Sequence, residues 1–320
     1  MPFLKSYPLS VQLSLTLVAG LLAACGDDAP TEVTVPPPAS ATYDLMYESA
    51  HADNPVMLRL VVRALNGGAE QPLFGQEIMG AAPSVSADGQ RVAYVASRPN
   101  DDYDWQDLWT VRRDGVPQRI ELGSTGPEMA PSISPDGTRI AFVRLDENLT
   151  SHLFVADITG QNQREITFPV PPSVIQAVSS PAWSPDGKSL LFSAGQPGML
   201  HLWKVRADGT LLAQLTDAAV SDLDGAWSPD GKQIAFVRTP SPALSQIMLL
   251  DLNTGVERSF GFAWRNRYPA FSPDGSTIAF VSNMADNADL EVYTVLADGT
   301  GLSRLTFDEV RQQRPQWIRR

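Results

Sequence analysis

The polar and apolar residues of this chain follow one pattern five times. A large apolar residue alternates with small residues, and an aspartate and a glycine follow it closely. The five stretches are residues 83–89, 131–137, 181–187, 225–231 and 269–275, and their large residues are Val85, Ile133, Trp183, Trp227 and Phe271. An alternation of period two is typical of a β-strand with one buried face. Each stretch therefore predicts a strand that ends in a turn.

The turns read Ser-Pro-Asp-Gly in four of the stretches and Ser-Ala-Asp-Gly in the first. Proline presets φ, aspartate can accept hydrogen bonds from nearby backbone amides, and glycine tolerates a positive φ. The sequence thus predicts turn-forming aspartates at five positions: Asp88, Asp136, Asp186, Asp230 and Asp274. Metal binding is the alternative role for these carboxylates, but turn chemistry accounts for them completely.

Three further strands are predicted in each repeat. In the third repeat, residues 190–192 and 202–205 are apolar strand segments, the pair Asp208 and Gly209 predicts a hairpin turn, and a short last strand ends at Thr216. The five turn aspartates are 48, 50, 44 and 44 residues apart, which is the length of a propeller blade. Four antiparallel strands per repeat make such a blade, so the fold class is all-β.

The two ends of the repeat region complement each other. Residues 43–74 match a blade that lacks its first strand, and residues 315–318 match a first strand and then stop. We expect the C-terminal strand to pair with the N-terminal blade and close a ring of six blades. Closure would also remove exposed sheet edges, which promote aggregation.

These motifs resemble the TolB-like branch of the WD40-like propellers, whose repeats are called PD40. The resemblance covers residues 43–318 and implies a six-bladed propeller with four-stranded antiparallel blades. TolB itself carries an α/β domain before its propeller, whereas only a short polar segment, residues 25–42, precedes the first repeat here. The chain therefore resembles the TolB-like family but not TolB proper.

The N-terminus has the features of an export signal. Lys5 precedes an uncharged apolar run that ends in Leu-Ala-Ala before Cys25, the single cysteine of the chain. This resembles the lipobox of bacterial lipoproteins, which implies removal of residues 1–24 and acylation of Cys25. An ordinary secretory signal with a chance cysteine is the alternative. Residues 25–42, which include three consecutive prolines, are predicted to be an extended tether.

Charge and composition narrow the choice of partners. With 24 basic and 36 acidic residues the chain has a net charge of −12, and this excludes a role that depends on phosphate backbones such as nucleic-acid binding. One cysteine allows neither an internal disulfide nor a thiolate metal knuckle. We expect no cofactor and a monomeric propeller. The resemblance to bacterial lipoproteins implies a location in the bacterial envelope. Because Gly26 and not aspartate follows the cysteine, it also implies the periplasmic side of the outer membrane if the source is Gram-negative.

Strand directions divide the predicted loops between two faces. The upper face carries the loops that join second to third strands and fourth strands to the next blade, and the lower face carries the Asp-Gly turns. Upper loops vary, so we expect partner binding there. The residues predicted to ring the mouth of the central tunnel, or to lie beside it, are Glu128, Asp222, Asp224, Arg265, Arg267, Tyr268 and Arg314. The alternative is that these residues of mixed charge line an ordinary water-filled channel.

The acidic stretch 101–107 is the most unusual upper loop. Its candidate partner-binding residues are Asp102, Tyr103, Asp104 and Trp105. The stretch lacks the glycine and distal glutamate of an EF-hand loop, so calcium binding is disfavoured but left open. A solvated acidic loop is the third reading.

Enzymatic chemistry finds little support in the motifs. Gly-x-Ser-x-Gly, His-Glu-x-x-His, the P-loop and the dinucleotide fingerprint are absent from the sequence. His51, His152 and His201 all precede third strands, which lie away from the propeller axis, and this argues against a shared metal site. The favoured function is a non-enzymatic interaction module for another envelope protein. The alternative is a carbohydrate-binding or metal-dependent polysaccharide-lyase propeller, and whether the chain is an enzyme is left open.

Overall fold

The computed structural model describes residues 43–320 apart from 52–53, 66–67, 98–105, 124–125, 172, 242, 262–263, 285–289 and 308–309. This part of the chain forms 24 β-strands and one short 3-10 helix, Leu73–Gly75. The strands make six antiparallel sheets of four, which we number as blades 1 to 6 in chain order. The prediction of a six-bladed all-β propeller is confirmed.

Each blade is built from four consecutive strands, except that blade 1 takes strands from both ends of the chain. Blade 1 begins with β1 (Tyr43–His51), β2 (Asn54–Arg63) and β3 (Gln71–Pro72), and blade 2 contains β4 (Ala81–Val85), β5 (Arg91–Ser97), β6 (Gln106–Arg112) and β7 (Gln118–Arg119). Blade 3 contains β8 (Glu128–Ile133), β9 (Arg139–Leu145), β10 (Ser151–Asp157) and β11 (Arg164–Glu165). Blade 4 contains β12 (Ala177–Trp183), β13 (Ser189–Gln196), β14 (Met199–Arg206) and β15 (Ala213–Gln214). Blade 5 contains β16 (Ser221–Trp227), β17 (Gln233–Ser241), β18 (Leu244–Asp251) and β19 (Glu257–Ser259). Blade 6 contains β20 (Asn266–Phe271), β21 (Thr277–Ser282), β22 (Glu291–Leu296) and β23 (Ser303–Arg304), and β24 (Gln312–Arg319) completes blade 1.

The turns between first and second strands share one set of hydrogen bonds. In the turn of blade 3, Ser134 Oγ donates to Asp136 Oδ1 at 2.6 Å, and the same oxygen accepts the backbone N–H of Thr138 at 3.1 Å. Gly137 has a φ of 71°, which a residue with a Cβ rarely adopts. The equivalent aspartates of blades 2, 4, 5 and 6 accept the same two bonds: Asp88, Asp186, Asp230 and Asp274. These contacts explain why the tetrapeptide repeats.

The hydrophobic core lies between neighbouring blades. Six clusters of buried side chains each join one blade to the next, and the second strands, such as β9 and β17, supply most of their fully buried residues. Tryptophans add hydrogen bonds across these junctions. Trp183 Nε1 donates to the carbonyl of Ser132 at 3.0 Å, and Trp227 Nε1 donates to that of Ala182 at 3.2 Å. Blade order is thus fixed by packing and by directed bonds together.

The C-terminal strand closes the ring, as predicted. β24 pairs with β1 in antiparallel register, with Leu45 opposite Trp317 and Asp44 opposite Ile318. Trp317 Nε1 donates to the carbonyl of Ala270 in blade 6 at 2.9 Å, so the closing strand repeats the tryptophan bond of the other junctions. One core cluster joins blades 6 and 1 across this closure.

Candidate functional site

The first strands of all six blades surround a central channel. Its cavity has a volume of about 280 Å³ and receives residues from β4, β8, β12, β16, β20 and β24. Small side chains of the repeat, such as Ser84, Ser132 and Ala226, line its wall. A cavity of this size is near the lower limit for small-molecule sites. It can admit a side chain or a chain end but not a folded element.

One residue in each first strand has a left-handed backbone conformation. The six residues are Ala82, Ala130, Ser180, Asp224, Tyr268 and Arg314, with φ of 51°, 49°, 50°, 53°, 54° and 45°. Pairing with the second strand shifts in register at each of these positions, as in a β-bulge. Blades 2, 3 and 4 place small residues there, whereas blades 5, 6 and 1 place an acid, an aromatic residue and a base. The channel mouth therefore has one open side and one chemically rich side.

The rich side begins with Asp224. Ser180 Oγ of blade 4 donates to Asp224 Oδ1 at 3.5 Å, and Arg267 Nε of blade 6 donates to Asp224 Oδ2 at 2.8 Å. The guanidinium carbon of Arg267 lies 4.9 Å from the centroid of the Tyr268 ring, and that of Arg314 lies 4.6 Å from the same centroid. Such cation–π contacts are stabilising when partly desolvated.

The same chain of contacts continues into blades 1 and 2. Arg314 Nη1 donates to Glu48 Oε1 at 3.1 Å, and that oxygen also accepts the backbone N–H of Ala82 at 2.6 Å. We call the connected set Ser180, Asp224, Arg267, Tyr268, Arg314, Glu48 and Ala82 the mouth network. It joins five of the six blades. A partner that touches this network would contact side chains whose positions are set by ring closure.

The negative side chains of the mouth network are more buried than the positive ones. The side chain of Glu48 is 0% exposed and that of Asp224 is 7% exposed, whereas Arg267 and Arg314 are 32% and 35% exposed. The charge of Asp224 raises the pKa of Arg267 above its ordinary value. Burial of Arg314 lowers its pKa, but the charge of Glu48 and other nearby groups outweigh this, and the pKa is raised. Both guanidiniums therefore stay charged.

Glu48 was missed in the sequence. It lies in β1 directly after the buried apolar residues 45–47. An acidic residue within a buried apolar strand is unusual, and this could have identified Glu48 from the sequence. Its Oε2 is buried and has no hydrogen-bond partner among the described residues. Its importance depends on Arg314, which is 266 positions away in the sequence.

Two predicted mouth residues do not join the network. Glu128 is buried and pairs with Arg144 at 3.2 Å within blade 3. Asp222 is buried and accepts two hydrogen bonds from Arg238, at 2.8 and 2.9 Å, within blade 5. The hydrogen bonds that Arg238 donates to Asp222 raise the pKa of Arg238. Both carboxylates thus anchor their own blades.

Arg265 lies next to the mouth rather than in the network. It is exposed, and its backbone N–H donates to Asn283 Oδ1 at 2.9 Å. The predicted loop residues Asp102, Tyr103, Asp104 and Trp105 and the acylation site Cys25 lie outside the described residues. Beside that loop, Asp107 is buried and pairs with Arg119 at 3.1 Å.

The histidines are not gathered into one site where the structure describes them. His152 lies between two carboxylates, with Nδ1 2.9 Å from Glu165 Oε1 and Nε2 3.4 Å from Asp146 Oδ2. His201 is in β14 of another blade, opposite Ala194. Within the described ranges no group of three or more His, Cys, Asp or Glu side chains has the arrangement of a metal site. In the same ranges no helix is long and apolar enough to cross a membrane.

Comparison with known proteins agrees with the repeats. The family model of the TolB beta propeller domain matches residues 89–244. A stretch of 42 residues is 38% identical to part of an uncharacterized protein of Agrobacterium fabrum, and this stretch is 13% of the chain and 14% of that protein. Residues 89–244 are therefore similar to the TolB beta propeller domain, and the resemblance seen in the sequence is confirmed.

Solved structures share the fold at low sequence identity. TolB from Acinetobacter baumannii matches with a TM-score of 0.71 at 20% identity over 86% of this chain, and the chain covers 66% of that protein. A protein of Agrobacterium tumefaciens assigned to TolB matches with a TM-score of 0.61 at 22% identity, over 85% of this chain and 91% of the other. An oligogalacturonate lyase from Vibrio parahaemolyticus matches with a TM-score of 0.53 at 14% identity, over 83% of this chain and 80% of the lyase. At these identities the matches establish the fold alone.

Proposed function

We propose that this chain is a lipid-anchored protein of the bacterial envelope that binds another envelope protein through the upper face of its propeller. The mouth network carries this proposal. It holds two partly exposed arginines and a tyrosine over buried carboxylates, and arginine and tyrosine are enriched among the residues that dominate binding energy at protein interfaces. Residues 1–24 would be the signal peptide, 25–42 the tether and 43–320 a monomeric propeller.

Exposed apolar side chains support the choice of face. Eleven large hydrophobic residues are exposed in the described part of the chain. Three lie in lower turns, namely Val116, Leu211 and Val256, and eight lie in or beside upper loops, namely Met57, Met79, Leu149, Val174, Met199, Leu244, Trp264 and Phe307. Methionine and aromatic residues are enriched at protein interfaces, and five of these eight are methionine, tryptophan or phenylalanine, which supports a protein partner on the upper face.

The proposed anchor would leave the upper face accessible. Tyr43 pairs with Arg319 at the lower end of blade 1, so the chain enters the propeller from the lower face. Residues 26–42 would reach roughly 50 Å in a polyproline II conformation, at about 3.1 Å per residue. The tether would therefore join the propeller at the face opposite to the proposed partner site.

Site-specific photo-crosslinking tests the choice of face. A photoreactive residue at Leu244 or Phe307 on the upper face should crosslink to one envelope protein in native membranes. The same residue at Leu211 or Val256 on the lower face is the matched control, since all four side chains are exposed and apolar. Crosslinks confined to the lower positions, or none at any position, would refute the proposal.

A carbohydrate-binding or polysaccharide-cleaving propeller is the second candidate, because an oligogalacturonate lyase shares the fold. A metal-dependent lyase would need a bound ion, whereas the proposed interaction module would not. Under the proposed function we expect EDTA to leave the melting temperature unchanged, and we expect metal analysis of the purified protein to find no stoichiometric ion. A stoichiometric ion that is lost on substitution of His51, His152 or His201 would favour the lyase instead.

A further inference from the structure

The two arginines of the mouth network keep donors that the protein does not use. Arg267 donates from Nε to Asp224, and Arg314 donates from Nη1 to Glu48. Neither guanidinium makes another hydrogen bond within the part of the chain that the structure describes. A guanidinium has five N–H donors in a planar fork that matches a carboxylate. Both Nη groups of Arg267, and Nη2 and Nε of Arg314, therefore remain for a ligand.

A ligand at the mouth meets positive charge first. The carboxylates that balance the two arginines are buried, whereas about a third of each arginine side chain is exposed. The two guanidiniums also contact the same tyrosine ring, so like charges are held close together. An anion that bridged them would relieve this repulsion. The network as a whole is neutral, but its two positive side chains are more exposed than its two negative ones.

Two residues of the mouth network have an unfavourable backbone conformation. Tyr268 and Arg314 have φ of 54° and 45°, and such values are uncommon for bulky residues. Ala82 and Ala130 fill two equivalent positions of blades 2 and 3, which shows that the fold accepts small residues there. Strained conformations of this kind are concentrated at ligand sites.

We propose that Arg267 and Arg314 bind the C-terminal carboxylate of the partner polypeptide, with the last residues of that chain in the central channel. This rests on the proposed function. The channel volume of about 280 Å³ favours a single chain end over a loop, which would have to enter as two strands. Arg314 lines this cavity together with the small side chains of Ala82, Ala130 and Ser180, which leave room for a ligand.

A peptide fits these contacts better than an acidic sugar does. Sugars in protein sites commonly stack on an aromatic ring, but the Tyr268 ring is already in contact with both guanidiniums. Capture of a terminal carboxylate by clustered donors is a recurring mode of peptide recognition.

The test compares two peptides that differ in one group. Acetylated tetra-alanine with a free C-terminal carboxylate is titrated against the protein, and the same peptide with a C-terminal amide is the control. The arginine Nε–H signals are followed by NMR. We expect saturable shifts of the Arg267 and Arg314 signals with the acid, and binding weaker by at least about tenfold with the amide, since charge-assisted hydrogen bonds are lost. Equal affinity for both peptides, or no saturable shift with the acid, would overturn the inference.

Variants locate the contact. Arg267→Lys and Arg314→Lys keep the positive charge but lose the planar set of guanidinium donors. Each substitution should lower the affinity for the acid peptide by about tenfold. Arg112→Lys is the control, because Arg112 is exposed and lies in a lower turn region beside Asp114. Melting curves check that the variants fold, and the comparison of acid with amide on the unmodified protein does not depend on them. An acid-specific response that persists in both arginine variants would overturn the assignment.

Two further outcomes separate this inference from the proposed function. If tri-galacturonate binds the arginines and the acid peptide does not, the ligand is a uronate and the peptide inference is wrong. If the protein captures a partner from native membranes and an excess of the acid peptide does not compete, the proposed function holds and the inference fails. If no partner is captured, the proposed function fails, and the peptide titration still decides whether the carboxylate site exists.

Discussion

At the scale of single residues, the serine of the turn between the first and second strands of blade 3 makes three contacts. Ser134 is fully buried; its Oγ donates to Asp136, contacts the carbonyl of Arg139 and accepts the backbone N–H of that arginine. We predict that Ser134→Ala lowers the free energy of unfolding by about 1–3 kcal/mol, because a buried backbone donor loses its partner. Denaturant unfolding measures this. Lys232→Ala, an exposed change in the turn of blade 5, should leave stability unchanged, and an equal loss in both variants would contradict the prediction.

The same turn makes stability depend on pH. The hydrogen bond from Ser134 lowers the pKa of Asp136 below its ordinary value. Folding therefore favours the charged carboxylate, and this contribution is complete above the pKa of the unfolded state, about 3.9, and is lost as the pH falls through the folded-state pKa. We predict that Asp136→Asn is less stable than the unmodified protein at pH 7 and that the difference shrinks below about pH 4. A difference that is constant with pH would mean that the charge is not involved.

Cys25 is the residue on which the proposed location depends. Several acyl chains hold a protein on a bilayer far more firmly than one does. We predict that Cys25→Ser gives a soluble or uncleaved product, as judged by membrane fractionation and mass spectrometry. A correctly cleaved Cys25→Ser protein that still sediments with membranes would show that the anchor lies elsewhere.

At the scale of structural elements, β24 determines whether the ring is closed. Trp317 packs into the cluster between blades 6 and 1 and donates to the carbonyl of Ala270. We predict that Trp317→Ala costs about 3 kcal/mol, at the lower end for buried tryptophan because the side chain is only partly buried. Trp317→Phe should cost about 1 kcal/mol, since it removes mainly the hydrogen bond. Both values come from chemical unfolding.

Removal of the strand gives the stronger version of this test. Deletion of residues 313–320 should expose an edge of β1, lower the melting temperature and promote aggregation. Trp264→Ala is the control for loss of a tryptophan, because Trp264 is exposed in an upper loop. A deletion variant with the stability of the full chain would be inconsistent with a ring held closed by β24.

The elements could be predicted from the sequence because their signals are local. Alternation of period two, the Ser-x-Asp-Gly turns and the spacing of the repeats all lie within one blade, and the unmatched first strand at residues 315–318 revealed the closure. The mouth network was predicted only in part. Asp224, Arg267, Tyr268 and Arg314 were found from their position before the first strands. Glu48 was not, because only ring closure brings it to Arg314.

The register of the first strands explains why some residues predicted at the channel mouth are not part of the mouth network. The bulge in each of these strands changes which side chains face the channel, and no glycine marks the left-handed residue. Asp222 and Asp224 are two positions apart, yet the first pairs with Arg238 inside blade 5 and the second joins the mouth network. A pattern read with a uniform period cannot separate two such carboxylates.

At the scale of the whole molecule, the two faces differ in what their side chains can offer. The aspartates of the lower turns accept hydrogen bonds from backbone amides of the same turn. Asp208 accepts the N–H of Thr210, and Asp298 accepts that of Thr300. The upper face carries eight of the eleven exposed large hydrophobic residues of the described chain. This asymmetry is the reason for placing the partner above.

Paired substitutions separate the two faces in a single assay. We predict that Trp105→Ala and Arg267→Ala each weaken capture of the partner from native membranes, by about 2 kcal/mol or more if they are hot spots, while Lys232→Ala on the lower face has no effect. The acidic surface should also steer a basic partner, so the association rate should fall as salt is added. Melting temperatures show whether the ring stays folded, which matters for Arg267→Ala because Asp224 loses its ion pair. Capture that survives both upper changes and fails in Lys232→Ala would assign the partner to the lower face, where the tether enters.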